Sequence, residues 1–171
     1  FVDALYRSMG TRDTTHWIDS TPYNLLHVNR LQEIFPQARF VHVHRDPRDV
    51  LSSYLTKTWG GSDAIVAARR LASVFQRWFE IRNTLETDAY LEVSLESLTD
   101  NPASVANQVL QFSGLKSHKL PHSLVSNRHS NHARWRTDIP KNVLPTVMEI
   151  LGPVIVQLGY EDDIPHFRNV A

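Results

Sequence analysis

Arg45, Arg48 and Ser53 fall close together in the run Phe40-Val-His-Val-His-Arg45-Asp-Pro-Arg48-Asp-Val-Leu-Ser52-Ser53-Tyr54. Two guanidiniums and a hydroxyl are suited to holding a phosphate, because all are donors and the first two carry charge. A strand followed by a helix must position them. Phe40 to His44 is β-rich, and Pro47 fits a first helical position, where its missing N–H and fixed φ cost nothing. Asp46 is placed to cap that helix, Asp49 falls in its first turn, and Val50, Leu51 and Tyr54 give it an apolar face. The basic residues thus sit where a strand ends and a helix begins, a place where α/β sheets bind ligands and helix N-termini attract anions. Ser53, eight residues after Arg45, lies about two turns along. An arginine that caps or salt-bridges at an ordinary strand-to-helix turn satisfies the same pattern.

The flanking elements follow from periodicity. Residues 1–10 read as a helix end stopped by Gly10. His16-Trp17-Ile18-Asp19 reads as a short strand, and Leu25, Leu26, Val28, Leu31, Ile34 and Phe35 predict a helix over 22–35 that ends before Pro36. With the strand at Phe40, this makes a βαβ unit and hence a parallel sheet. Trp59-Gly60-Gly61-Ser62 breaks the chain, and Asp63 caps a long helix whose Arg69, Arg70, Arg77 and Arg82 form a solvated face. Tyr90-Leu-Glu-Val93 is a strand. A turn of helix spans Ser94 to Asp100, and another helix restarts at Asn101-Pro102, packs Val105, Val109, Leu110 and Phe112 inward, and stops at Gly114. The last helix spans 141–159, with Pro145 and Pro153 expected to break or kink it. His118, His122, His129 and His132 lack the Cys or carboxylate partners and the fixed helical spacing that a metal site needs.

The run from Arg45 to Tyr54 resembles the 3′-phosphate-binding motif of sulfotransferases that use 3′-phosphoadenosine 5′-phosphosulfate (PAPS) as sulfuryl donor. The resemblance implies that Arg45 and Ser53 bind the donor's 3′-phosphate. Tyr90 to Leu115 resembles the same family's strand, turn, Asn/Asp-Pro helix and terminal Gly-Leu, with Leu95 standing where the family usually places an aromatic residue near the adenine. His132-Ala-Arg134-Trp135-Arg136 resembles the Gly-Arg-Trp segment of bacterial and tyrosylprotein-type members, a late loop that closes over the donor. This implies that Arg134 approaches the 3′-phosphate, with Arg136 the alternate. Trp135 as a core anchor flanked by two surface arginines is the plainer reading.

Asp19-Ser20-Thr21-Pro22 occupies the place of the family's Lys-Thr-Pro or Lys-Thr-His segment. Ser20 replaces the sulfate-contacting Lys, and Asp19 is the local carboxylate able to accept a proton, or else the cap of the helix starting at Pro22. In several branches the base is instead a Glu on the helix after the 5′-phosphosulfate loop. Tyr6-Arg7-Ser8-Met9-Gly10-Thr11 resembles that loop only superficially, since no strand precedes it. The resemblance covers residues 17–160 and implies one domain over 1–171. That domain would have an α/β, P-loop-like three-layer fold with a central parallel sheet, N-terminally incomplete because the phosphosulfate-binding part is lacking. It would transfer a sulfuryl group from PAPS to an unknown hydroxyl or amine acceptor, releasing 3′-phosphoadenosine 5′-phosphate, without a metal. A catalytically inactive 3′-phosphonucleotide-binding or interaction module, and a fragment of another P-loop-type phosphotransferase, stay open as alternatives.

Composition sets the outer bounds. The chain has 171 residues, 42% hydrophobic and 21% charged, enough for one soluble core. Eighteen basic and eighteen acidic residues cancel, so any anion site is local, and neither nucleic acid nor an anionic membrane is an expected partner. The absence of cysteine rules out disulfides and thiolate chemistry and fits a reducing compartment. With no apolar run near the length needed to span a bilayer and no basic-then-apolar leader, a cytoplasmic location is expected.

Overall fold

The computed structural model describes residues 10, 16–57, 61–116 and 132–161. The expected helix before Gly10, the loop-like match from Tyr6 to Thr11 apart from Gly10, Trp59 and Gly60, and His118, His122 and His129 lie outside them.

A 3-10 helix, Pro22–His27, runs into α1, Val28–Ile34. Strand β1 is Phe40–His44, followed by α2, Pro47–Leu55, and the long α3, Ala64–Arg82. Strand β2, Tyr90–Ser94, leads to α4, Leu95–Asp100, and α5, Pro102–Phe112. A short α6, Trp135–Asp138, and α7, Leu144–Gln157, complete the described chain. The two strands pair in parallel, with Phe40 opposite Tyr90 and His44 opposite Ser94. A parallel pair needs a long crossover, and α2 and α3 supply it. Helices over a parallel pair make this an α/β fold.

The parallel sheet is therefore present, but between partners other than those expected. His16 to Asp19 is not a strand. Asp19 Oδ1 accepts the Thr21 N–H at 2.8 Å, a local turn that competes with extended pairing. Trp17 packs edge-on against Phe35 at 5.4 Å, while Ile18 is 88% exposed. The helix expected over 22–35 also begins as a 3-10 turn with no side-chain cap, and Val28 is its buried residue.

Local signals place the other helices well. Asp63 caps α3 by accepting from the N–H groups of Ile65 and Val66. One face of α3 buries Leu71, Phe75, Trp78, Phe79 and Ile81. These join Leu51, Trp135, Ile139, Val147, Leu151, Val154 and Ile155 in a single core. Gly114 and Gly159, at φ 73° and 76°, end α5 and α7 in the left-handed conformation that glycine takes most easily. On α5 only Val105 of the expected apolar face is buried. Pro145 sits in the first turn of α7, where proline is at home, and Pro153 lies inside a helix that continues to Gln157. The fully buried Leu151, Val154 and Ile155 hold that last turn in place. Among the described residues no helix is long and apolar enough to cross a membrane.

Candidate functional site

The turn after β1 has the capped geometry its residues dictate, but the face it buries is polar. Asp46 caps α2, its Oδ1 accepting the Arg48 N–H at 2.8 Å. The same carboxylate takes Nε and Nη2 of Arg48, the latter at 2.7 Å. Arg48 is 0% exposed, lies 4.5 Å from the Trp135 ring centroid and donates to the Tyr160 carbonyl. Forked pairing, ring stacking and a carbonyl acceptor are what allow a guanidinium to be buried. Arg48, read from sequence as a second phosphate ligand, is thus committed to the core and is not presented to an anion.

Arg45 is placed differently. Its side chain is partly exposed and runs along α2 to Asp49, Nη2 lying 3.1 Å from Oδ2. Arg45, which precedes the Asp46 cap, reaches Asp49 through its side chain, while Ser53 lies one turn beyond Asp49 on α2 and is half-buried. Its neighbour Ser52, about 100° round the helix, is buried instead and donates to Asp138 Oδ2 at 2.5 Å.

The late segment docks on Asp49. Asp49 Oδ2 accepts the Ala133 N–H at 3.0 Å and Oδ1 accepts the Trp135 N–H at 3.1 Å. Arg134, between them, is exposed and pairs with Asp138 at 2.9 Å. The Ser52 hydroxyl, together with Thr137 and Arg134, holds the Asp138 carboxyl below its usual range. Arg136 is exposed, with its guanidinium 4.5 Å from the Trp135 ring centroid. Trp135 is buried, as a core anchor would be, and its Nε1 has no hydrogen-bond partner among the described residues. Arg45 and the backbone that carries Arg134 therefore meet at Asp49, with Ser53 one turn further along α2.

Asp19 and Ser20 are exposed, in the turn ahead of the 3-10 helix. Leu95 opens α4 and is half-buried. Of the four loop histidines, His132 is described, with Nε2 3.9 Å from Asp100. Among the described residues no His, Cys, Asp and Glu group has a metal-holding arrangement.

Sequence reasoning missed a second polar layer, on the α3 side of the sheet. Glu92 accepts from Trp78 Nε1 at 2.7 Å and from Arg82 at 2.6 Å, and lies 3.2 Å from His42 Nδ1. Burial raises its pKa, but these hydrogen bonds and the Arg82 charge outweigh it and hold the carboxyl at about 2. Arg82 therefore belongs to the interior network, whereas Arg69, Arg70 and Arg77 are solvated. Burial, with His42 nearby, lowers the pKa of His44. The Tyr160 hydroxyl, 3.3 Å from His44 Nδ1, donates to Glu96, and burial together with that carboxylate raises the phenol pKa well above its usual value. Polar residues at every second strand position, His42 and His44 opposite Glu92 and Ser94, were the available signal.

The model of the "Sulfotransferase family" matches residues 1–119, more than half the chain. The omega-hydroxy-beta-dihydromenaquinone-9 sulfotransferases of Mycobacterium bovis and Mycobacterium tuberculosis are each 24% identical over 160 residues, which is 84% of this chain and 41% of theirs. The chain thus spans about two-fifths of the length of these curated relatives. A crystal structure of a sulfotransferase from Alicyclobacillus acidocaldarius superposes with a TM-score of 0.59 at 14% identity, over 98% of this chain and 74% of that one. The likeness supports the α/β, P-loop-like fold. The family match includes Arg45 and Ser53 and ends before Arg134, so the late segment rests on its geometry at Asp49. Sequence and fold agree: the chain belongs to the sulfotransferase family.

Proposed function

We propose that the chain carries the 3′-phosphate side of a PAPS-dependent sulfotransferase. The observation that carries this reading is the meeting at Asp49 of Arg45 and the segment bearing Arg134, one helical turn from Ser53. Arg45 supplies a planar, charged fork, Ser53 a hydroxyl, and Arg134 a second cation, with Arg136 beside it. The 5′-phosphosulfate cradle lies, in this proposal, outside the described residues.

In the reaction an acceptor oxygen forms a bond to sulfur as the bond from sulfur to the phosphate oxygen breaks. The acceptor's proton passes to a base, and 3′-phosphoadenosine 5′-phosphate leaves. Fixed geometry and charge neutralisation do most of such work. We assign proton acceptance to Asp19, with Ser20 beside it on the acceptor side. The names of the mycobacterial relatives specify a hydroxylated acceptor, which favours a hydroxyl over an amine. The exposed setting of Asp19 and Ser20 favours a second reading, a module that binds the 3′-phosphonucleotide without transfer.

Calorimetric titration of Arg45→Ala tests the assignment. Losing one charge-assisted hydrogen bond should weaken 3′-phosphoadenosine 5′-phosphate about tenfold to a hundredfold. Adenosine 5′-phosphosulfate, which has no 3′-phosphate, should weaken less than about threefold. Equal losses for both, or none for either, would mean that Arg45 is structural.

A further inference from the structure

Asp49 is an acidic group at the centre of a proposed anion site, where its charge opposes the ligand. Its presence calls for a compensating role, and its contacts show one. The carboxylate is 2% exposed and is divided between two elements distant in sequence. Oδ2 receives Arg45 from the strand end and the Ala133 N–H, and Oδ1 receives the Trp135 N–H. Ala133 stands at φ 57°, a left-handed conformation that alanine seldom adopts, so the backbone there needs an external hold. The Ser52 hydroxyl on Asp138 and the Arg48 guanidinium against Trp135 flank that hold.

We propose that Asp49 is a positioning residue for the 3′-phosphate of the donor nucleotide: one buried carboxylate sets Arg45 along α2 and pins the Ala133–Trp135 backbone, so that Arg45 and Arg134 are presented to the same anion. This rests on the 3′-phosphate reading above. Asp49 does not touch the phosphate. It acts through the two arginines, and the consequence is that their contributions are coupled.

The test is calorimetry on the intact protein with 3′-phosphoadenosine 5′-phosphate and adenosine 5′-phosphosulfate, using wild type, Asp49→Asn and Asp49→Asn/Arg45→Ala. An amide keeps the volume but gives up the charge and one acceptor. The 3′-phosphate nucleotide should weaken about tenfold to thirtyfold in Asp49→Asn, the phosphosulfate less than about threefold. Adding Arg45→Ala should then cost less than about threefold more, because the guanidinium is already misplaced. A simply structural role would weaken both nucleotides alike and leave the Arg45 effect at full size, which overturns the proposal. If wild type does not favour the 3′-phosphate nucleotide, the 3′-phosphate reading itself fails and this inference with it. If wild type does favour it and Asp49→Asn keeps that preference, only this inference fails. Should Asp49→Asn not fold, Asp49→Glu, which keeps the charge but shifts it by one methylene, takes its place with the same expected loss of preference. Failure of both to fold would make Asp49 a structural residue and overturn the proposal.

Discussion

The start of α2 and the stretch from His16 to His27 treat their polar groups in opposite ways. Around α2, Asp46, Arg48, Asp49 and Ser52 are all buried, and each has a geometrically sound partner. From His16 to His27 no residue is buried, and Tyr23 and Ile18 are among the most exposed large apolar residues. Buried charges are tolerated only when their partners are fixed, so the α2 side is ordered before any ligand arrives. The earlier stretch is held by turn contacts, by Trp17 on Phe35 and by the half-buried Leu25 against the core. The contrast separates a region of buried, partnered polar groups from one that depends on a turn, and single substitutions should divide along the same line.

Arg48→Met should have the largest effect. It leaves the Asp46 carboxylate buried beside an apolar side chain, and breaking a buried pair from one side costs about 3–5 kcal/mol. Urea unfolding would show it, and a loss under about 1 kcal/mol would mean the α2 network is less committed than its geometry. Asp19→Ala should behave in the other manner. With stability within about 0.5 kcal/mol and 3′-phosphoadenosine 5′-phosphate affinity within about twofold, kcat of the intact protein should fall about a hundredfold if a general base is removed. An unchanged kcat would reduce Asp19 to its turn with Thr21. The smallest effect is a gain. Ala133→Gly relieves a left-handed alanine worth roughly 1–2 kcal/mol, part of which is offset by the extra freedom of glycine in the unfolded chain, leaving a net stabilisation of up to about 1 kcal/mol. A destabilised Ala133→Gly would show that the Asp49 contacts do not hold a strained backbone.

Legibility in the sequence followed the range of the interactions. Caps and stops are local, so Asp46-Pro47, Asp63, Asn101-Pro102, Gly114 and Gly159 marked element ends correctly. The strand expected at His16 failed for a local reason as well, because Asp19 closes a turn on Thr21 that alternation does not reveal. Non-local facts were hidden. Periodicity sends charge to solvent, so nothing marked Arg48 and Asp49 as buried until Trp135 and the Ala133 backbone were folded against them. The pairing of Glu92 with His42 depends on a parallel register set 50 residues away. The neighbouring hydroxyls show the finest limit: resemblance pointed to Ser53, and the fold spends Ser52 on Asp138 while leaving Ser53 half-buried one turn beyond Asp49. At Ala133 the resemblance to a Gly-Arg-Trp segment gained a physical meaning, since the position uses the positive φ that glycine supplies freely.

In the proposed function, Arg45 and Ser53, with the segment docked on Asp49, recognise a 3′-phosphate. The most direct measurement is a paired titration of the intact protein with 3′-phosphoadenosine 5′-phosphate and adenosine 5′-monophosphate, which differ by that group alone. Charge-assisted hydrogen bonds from Arg45 and its neighbours predict binding at least about tenfold tighter for the 3′-phosphorylated nucleotide, with the preference shrinking as salt is raised. Equal affinities, unchanged by salt, would mean that these residues do not recognise a 3′-phosphate.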